Sequence, residues 1–243
     1  MRLTRNHVDA PLAVGATVAL DDAVTAHLVR VLRLGLGDAL VLFNGDGFDY
    51  EARLVSVAKR GAQAEVMSRR EVRNESPLRV VLAQAIARGD RMDWVLQKAT
   101  ELGVAAIVPI VTERTEVKLD ADRGDKRMQH WRGVVAAACE QCGRTRVPEL
   151  HAPVALAAWL ADPPRPALVL CLDPQAERSL RDVAIEAGCA LVIGPEGGFG
   201  ERDLHALRAA GAVGVRLGPR VLRTETAGLA ALAALQMLGG DFG

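Results

Sequence analysis

The alternation of hydrophobic and polar positions changes character near residue 75. Before that point, short apolar stretches alternate with polar residues and are interrupted by glycine and aspartate, which is typical of strands. Four such stretches lie at 15–20, 39–45, 48–59 and 62–72, and a helical pattern runs from Asp22 to Leu34. The sequence at 44–47, Asn-Gly-Asp-Gly, falls where a hairpin turn is needed. The amino-terminal part is therefore predicted to be a small β domain with one helix.

A polar segment at 73–77 ends in Pro77 and is the best candidate for a linker. After it, strand patterns alternate with helical ones. Strands are predicted at 78–86, 105–111, 167–174, 189–198 and 213–222, and helices at 87–103, 130–143 and 226–238. Such alternation predicts an α/β fold with a mostly parallel sheet, whose ligands bind beyond the carboxyl ends of the strands. We therefore expect two domains, residues 1–73 and 74–243.

Two glycine-rich turns follow apolar runs near the carboxyl terminus, at 194–200 and 217–220. An apolar strand, a glycine turn and the polar start of a helix deliver backbone N–H groups to a ligand, so two such turns suggest one shared pocket. A phosphate-binding loop is excluded because no lysine follows Lys126, and the dinucleotide fingerprint GxGxxG follows none of the strands. Glu196 places a carboxylate where a pyrophosphate would sit, which favours a neutral or cationic ligand. The alternative is that the turns only reverse the chain.

Charge and composition narrow the possible functions. The 243 residues carry 30 Lys and Arg against 30 Asp and Glu, so the net charge gives no general argument for a polyanionic partner. Arginine nevertheless outnumbers lysine, and guanidinium groups bind phosphate and stack on bases. The four cysteines make no disulfide framework, and we see neither a membrane span nor a signal peptide, so we expect a cytoplasmic protein. Cys139 and Cys142 form a CxxC pair without a second pair or nearby histidines, so we expect packing residues and no metal.

Several motifs together resemble the ribosomal RNA small subunit methyltransferase E family, which belongs to the knotted SPOUT class. The central pair is GPEGGF at 194–199 and LGPRVLRTETA at 217–227. Further similar stretches are RMDWVLQKATELGVAAIVPIVTERT at 91–115, HWRGVVAAACEQCGRTRVPEL at 130–150, and HLVRVLRLGLGD at 27–38 with LFNGDG at 42–47. The resemblance covers essentially the whole chain, and the combination is far more specific than any one motif.

The resemblance implies a PUA-like β-barrel at the amino terminus, a SPOUT-type parallel sheet with a C-terminal trefoil knot, and a homodimer. It also implies S-adenosylmethionine as the methyl donor and N3 of a uridine in 16S rRNA of the small ribosomal subunit as the acceptor. Glycine-lined turns and apolar walls suit a sulfonium-bearing nucleoside. The apolar walls are expected from Leu172, Ile193, Leu217 and Leu222. Carried over by motif, the implied donor-binding residues are Gly194, Pro195, Glu196, Gly197 and Gly198 in one loop and Leu217, Gly218, Leu222, Arg223, Thr224, Glu225, Thr226 and Ala227 in the other.

Methyl transfer to an imide nitrogen requires a base that removes the N3 proton and a cation that stabilises charge on the uracil carbonyls. Glu140 and Glu225 are the candidate bases, and Arg144 and Arg223 are the candidate cations. Each glutamate has a structural alternative, Glu225 as a cap on the last helix and Glu140 in an ion pair at a subunit interface. On sequence alone the choice of base stays open.

Four arginines of the amino-terminal domain are candidate RNA-binding residues through phosphate contacts: Arg2, Arg5, Arg30 and Arg33. Solvated surface arginines are the alternative. Two other functions also stay open. One keeps the fold and the donor but methylates a ribose 2′-hydroxyl or another base, and the other is a non-catalytic role in RNA binding or assembly.

Overall fold

The computed structural model describes residues 3–58, 61–116, 121–162, 165–186 and 188–243. The chain divides into two compact units. The first comprises Met1–Glu75 and Ala136–Val147, and the second comprises Ser76–Val135 and Pro148–Gly243. The division near residue 75 lies close to the boundary that the sequence pattern indicates. The return of Ala136–Val147 to the first unit has no counterpart in that pattern.

The first unit contains a five-stranded sheet with the order β1-β3-β4-β5-β2. Its strands are β1 (Arg5–His7), β2 (Thr17–Leu20), β3 (Ala39–Phe43), β4 (Phe48–Val57) and β5 (Ala62–Glu71). The pairs β3–β4, β4–β5 and β2–β5 are antiparallel, and β1 runs parallel to β3. The predicted turn at 44–47 joins β3 to β4. Inward-facing residues of these strands, including Leu40, Leu42, Tyr50 and Leu54, form a buried core with Leu28.

The predicted helix of this unit is split into two pieces. Helix α1 (Asp22–Ala26) begins after Asp21, whose side chain accepts a hydrogen bond from the Val24 backbone N–H at 2.7 Å, as expected for an N-cap. It continues as a π-helical turn, His27–Val31. Arg33 then adopts a φ of 58°, in the left-handed region that few non-glycine residues visit. This conformation ends the helical segment before the predicted Leu34.

The second unit contains a parallel sheet with the order β12-β10-β11-β6-β7-β8, in which β9 also pairs with β7. Its strands are β6 (Arg79–Ala85), β7 (Ala106–Val111), β8 (Glu149–Leu150), β9 (Val154–Ala155), β10 (Val169–Leu172), β11 (Gly188–Ile193) and β12 (Val213–Val215). All of these pairings are parallel. The five predicted strands are present, but β11 ends at Ile193 and β12 at Val215, short of the predicted 198 and 222, because the glycine-rich loops begin there. The two-residue strands β8 and β9 are too short to produce a periodic pattern.

Helices cover both faces of this sheet: α2 (Arg91–Glu101), α4 (Leu156–Ala161), α5 (Glu201–Ala209) and α6 (Thr224–Gly239), with α3 (Ala121–Cys142) preceding β8. Successive side chains of a strand point to opposite faces, and β6 illustrates this. Leu82 and Gln84 lie against Gly228 of α6, whereas Ala83 and Ala85 belong to the core formed with α4 and α5. Helix α2 packs on α6.

Candidate functional site

A cavity of about 830 Å³ lies at the carboxyl ends of β10, β11 and β12. Ligand pockets of this kind usually measure about 300–1,000 Å³ and lie beyond the carboxyl ends of parallel strands. Both glycine-rich loops contribute to the lining. Residues of the predicted donor-binding set that line it are Leu172, Ile193, Gly194, Pro195, Glu196, Gly197, Gly198, Leu217, Gly218, Leu222, Arg223, Thr224 and Ala227. Glu225 and Thr226 lie in the same motif but outside the lining, and the binding role of the set stays a prediction.

The first loop follows β11 and is held in a tight turn. The Gly198 backbone N–H donates to the Pro195 carbonyl at 2.9 Å, and Gly198 has a φ of +70°, where a side chain would be strained. A Cβ on Gly194 would lie 3.1 Å from the Phe199 ring, so glycine allows this close approach. The sequence GPEGGF thus folds back on itself and leaves its backbone facing the cavity.

The loop that follows β7 braces this turn from outside. The Arg114 guanidinium donates to the Gly197 carbonyl at 2.8 Å. The Glu113 carboxylate accepts from the Arg202 backbone N–H at 3.2 Å, and the Asp203 carboxylate accepts from the Gly200 backbone N–H at 3.0 Å. These carboxylates satisfy N–H groups at the start of α5, which otherwise have no intrahelical partner. The first glycine-rich loop is therefore fixed at both of its ends.

A hydrogen bond from the start of α6 ties the second loop to the first. The Thr224 hydroxyl, at the start of α6, donates to the Gly194 carbonyl at 2.6 Å. Gly218, within the second loop, has a φ of +72°. Thr224 is 5% exposed, so this hydrogen bond is shielded from water. The two loops thereby form the two walls of one cavity.

Charged side chains of both signs surround the cavity. Arg91, from the first turn of α2, lies 3.1 Å from the Glu196 carboxylate and 3.8 Å from the Glu225 carboxylate. Asp173 and Arg220 are among the lining residues. The other oxygen of Glu225, Oε2, is buried and has no hydrogen-bond partner among the described residues. Within the described structure, Glu225 is therefore paired with Arg91 through one carboxylate oxygen only.

Glu140 and Arg144 lie in the first unit, in the segment Ala136–Val147. The Glu140 carboxylate accepts a hydrogen bond from the His7 backbone N–H at 2.8 Å. Burial raises the pKa of Glu140 above its usual value, although the hydrogen bond from His7 and nearby positive charge oppose the shift. Arg144 is buried and forms an ion pair with Glu75. Both side chains thus have structural partners within the first unit.

The candidate RNA-binding arginines differ in their surroundings. The Arg5 side chain is 7% exposed, pairs with Asp49 at 2.7 Å, and donates to the Cys139 carbonyl at 2.9 Å. Its guanidinium is therefore already hydrogen-bonded within the first unit. This arrangement does not favour a contact with an RNA phosphate. Arg30 and Arg33 are exposed, on and just after the π-helical turn. Arg2 lies outside the described residues.

Sequence reasoning missed several residues at this site. Asp173 and Gln175 line the cavity directly after β10, where the rule that ligands bind beyond the strand ends offered a signal. Arg91 also lines it, but from a helix distant in sequence, and no local pattern indicates this. Gln84 is fully buried and donates to the Thr224 hydroxyl, and no local pattern indicates this contact either.

Two negative findings concern the described part of the chain. No group of three or more His, Cys, Asp or Glu side chains is arranged there to hold a metal ion, and the four cysteines are free. Among the helices described, none has both the length and the apolar character that a membrane crossing requires.

Comparison with known proteins agrees with this architecture. Residues 74–236 match the family model described as an RNA methyltransferase domain, and residues 20–67 match an RNA methyltransferase PUA domain. A methyltransferase from Legionella pneumophila, solved in complex with the bound cofactor SAM, is 41% identical with a TM-score of 0.96, and 100% of both chains is covered. The ribosomal RNA small subunit methyltransferase E from Neisseria gonorrhoeae, solved bound to S-adenosyl methionine, is 39% identical with a TM-score of 0.91 and the same coverage. The Mycobacterium bovis protein of that name is 36% identical over 240 residues, which are 96% of this chain and 90% of the relative.

The fold and the matched domains define an RNA methyltransferase with a parallel-sheet domain and a PUA-like domain. More narrowly, the chain belongs to the ribosomal RNA small subunit methyltransferase E family. The predicted family and fold class are confirmed. The trefoil knot and the domain limits 1–73 and 74–243 stay predictions.

Proposed function

We propose that this protein uses S-adenosylmethionine to methylate N3 of a uridine in the 16S rRNA of the small ribosomal subunit, and that it does so in the cytoplasm. The observation that carries the proposal is the cavity at the ends of β10–β12, which both glycine-rich loops line. Two proteins about 40% identical to this chain, 41% and 39%, were solved with this donor bound. Their sequence identity and fold support the same donor here.

The residues around the cavity suit this donor. S-adenosylmethionine carries a sulfonium cation, an adenosine with hydrogen-bonding edges, and an amino acid group. The cavity offers apolar walls such as Leu172, Ile193 and Leu217 and backbone groups from the loops. Asp173 and Glu196 can face the donor's cationic groups and the arginines of the lining can face its carboxylate, so the charges of both signs at the cavity suit this donor. We propose that the lining residues of the predicted set hold the donor.

The reaction forms one bond and breaks another. When bound, the donor supplies an electrophilic methyl group on sulfur. A base removes the proton from N3 of the uracil, the nitrogen lone pair forms a bond to the methyl carbon, and the carbon–sulfur bond breaks to leave S-adenosylhomocysteine. Holding the two reactants in attack geometry contributes about 7–11 kcal/mol in well-oriented systems, so positioning by the loops is a major part of catalysis.

We propose Glu225 as the base. The residue directly follows Thr224 of the cavity wall, and its carboxylate lies 3.8 Å from Arg91, which lines the cavity. Glu140 is engaged by the His7 backbone N–H. Arg223 is exposed and lines the cavity, so its guanidinium is suited to stabilise negative charge on the uracil carbonyls. Arg144, paired with Glu75, is less suited.

We propose that the protein is a homodimer that uses α6. Within one chain the helix is buried only on one face, along Ala231, Leu232 and Leu235, while Met237 and Leu238 are 59% and 52% exposed. A single copy therefore leaves part of this apolar helix exposed to water. Trp94 on the neighbouring α2 is also 60% exposed. A second copy would remove this apolar surface from water.

We propose that the PUA-like unit contacts the RNA through Arg30 and Arg33, which are exposed on a turn of unusual backbone geometry. Contacts of this kind position the RNA without selecting its sequence.

Methyl incorporation from labelled S-adenosylmethionine tests the proposed function directly. Unmodified 30S subunits and naked 16S rRNA would each be incubated with the protein, and the RNA would be digested and analysed by mass. We expect one N3-methyluridine. A 2′-O-methylated nucleoside or another methylated base would show that the acceptor is not N3 of a uridine. An absence of incorporation, together with no thermal stabilisation by S-adenosylmethionine, would favour a non-catalytic role.

A further inference from the structure

A buried chain of polar groups connects the middle of the parallel sheet to both glycine-rich loops. Gln84 of β6 is fully buried, and its Nε2 lies 3.0 Å from the Ala85 carbonyl and 2.9 Å from the Thr224 hydroxyl. That hydroxyl lies 2.6 Å from the Gly194 carbonyl. The chain therefore runs from the sheet through the start of α6 to the first loop.

The direction of these hydrogen bonds follows from their partners. The Ala85 carbonyl only accepts, so the side-chain atom beside it is the amide nitrogen of Gln84 and not its oxygen. The second amide proton then points at the Thr224 hydroxyl. Since a hydroxyl has one proton, and its oxygen already accepts from Gln84, Thr224 donates that proton to the Gly194 carbonyl.

The space between α6 and the sheet is narrow at the Gln84 carboxamide. A Cβ on Gly228 of α6 would lie 2.9 Å from the Gln84 Oε1 and 3.3 Å from Ile193. A glycine at this helical position therefore admits the carboxamide between helix and sheet. The amide nitrogen is held by two acceptors, the Ala85 carbonyl and the Thr224 hydroxyl, while Gln84 Oε1 is buried without a hydrogen-bond partner among the described residues.

We infer that Gln84 is a positioning residue of the methyl-donor site: by directing the Thr224 proton to the Gly194 carbonyl, it locks the two cavity loops together in the geometry that binds the donor. The inference rests on the proposed function. Gln84 does not line the cavity, so its effect on the donor is exerted through Thr224 and Gly194, which do.

The substitution Gln84→Glu tests the direction of the hydrogen bonds that run from Gln84 through Thr224 to Gly194. A carboxylate at this position accepts where the amide donated, so it competes with Gly194 for the single Thr224 proton. We expect the dissociation constant for S-adenosylmethionine, measured by isothermal titration calorimetry, to rise about tenfold, which corresponds to one hydrogen bond. An unchanged dissociation constant would overturn the inference.

Gln236 provides a matched control on α6. It is also fully buried, it donates to the Leu102 and Gly103 carbonyls, and it accepts from the Ser76 hydroxyl, all away from the cavity. Gln236→Glu therefore has a similar cost in stability, measured as a lower melting temperature, with a dissociation constant like that of the wild type. If both variants weaken donor binding alike, the effect is general destabilisation and the inference is wrong.

Variants of Thr224 test the same inference if Gln84→Glu does not fold. Thr224→Val removes the hydroxyl at similar volume and is expected to weaken binding about tenfold, whereas Thr224→Ser, which keeps the hydroxyl, should lose clearly less affinity than Thr224→Val. Where Gln84→Glu folds, the double variant Gln84→Glu/Thr224→Val should bind no more weakly than either single variant, because both act on one interaction. Additive losses would contradict the inference. Failure of the wild-type protein to bind S-adenosylmethionine is a different result, which would overturn the proposed function itself.

Discussion

The Arg91 guanidinium donates a hydrogen bond to the Glu196 carboxylate over 3.1 Å and so joins the first turn of α2 to the first glycine-rich loop. The same guanidinium lies 3.8 Å from Glu225 in the second loop motif. One cation thus stands between a carboxylate of the cavity lining and the proposed base. Because this cation contacts both carboxylates beside the cavity, its loss is expected to affect activity more than stability.

Arg91→Gln tests this expectation. The Arg91 side chain is 43% exposed, and exposed ion pairs contribute only about 0–1 kcal/mol, so the melting temperature should change little. The value of kcat/KM for methyl transfer should fall at least about tenfold, because misplacement of groups near the reacting atoms is costly. Arg88→Gln is the control, since Arg88 is exposed, pairs with Glu116 and does not line the cavity. Equal losses in the two variants would contradict a specific role for Arg91.

Glu225→Gln distinguishes the two candidate bases. An amide cannot take up the N3 proton, so kcat should fall by about 10²–10⁴, the usual contribution of a general base. The dissociation constant for S-adenosylmethionine should stay near that of the wild type, since Glu225 lies outside the cavity lining. Glu140→Gln is the matched variant, and its side-chain oxygen can still accept from the His7 backbone N–H. A loss of kcat in Glu140→Gln but not in Glu225→Gln would reverse the assignment.

The raised pKa of Glu140 predicts a pH-dependent difference in stability. In the folded protein, burial favours the protonated carboxyl, so the folded state holds its proton above the ordinary value of 4.5. Between that value and the folded pKa, the folded state binds more protons than the unfolded state, and stability falls as pH rises. Glu140→Gln lacks this titration. It should therefore melt above the wild type at neutral pH, with a difference that shrinks as pH falls towards 4.5. A difference independent of pH between 4.5 and neutrality would contradict the shift.

The glycine-rich loops were accessible from the sequence because their signals are local. A strand, a glycine turn and a helix start are read within a dozen residues, and the motifs at 194–199 and 217–227 indeed line one cavity. Arg91 and Gln84 were not accessible in this way. Their relation to the loops arises only when β6 and α2 pack beside β11 and α6, and no periodicity records that contact.

Arg5 shows what a residue type leaves open when its partner is unknown, and its role in RNA binding stays a prediction. An arginine near a predicted β domain suits a phosphate as well as it suits a buried carboxylate. The difference depends on Asp49 of β4, which pairs with Arg5 at 2.7 Å, and on the carbonyl of Cys139. The return of Ala136–Val147 to the first unit supplies that carbonyl, and it is a feature of topology that the pattern of the chain does not indicate.

Gly228→Ala tests whether the space beside Gln84 is required. Alanine in a helix interior is more favourable than glycine by about 1 kcal/mol, so a substitution without steric conflict should raise the melting temperature. At Gly228 the new Cβ would lie 2.9 Å from the Gln84 Oε1, so the carboxamide must move and its hydrogen bond to Thr224 weakens. We expect weaker binding of S-adenosylmethionine and a melting temperature below that of the control Gly133→Ala. A Cβ on Gly133, which lies within α3, would meet no atom within 4 Å, and this control should gain stability. If Gly228→Ala is stabilised as much as Gly133→Ala and binds the donor normally, the carboxamide of Gln84 is not held in place and the coupling between sheet and loops does not operate.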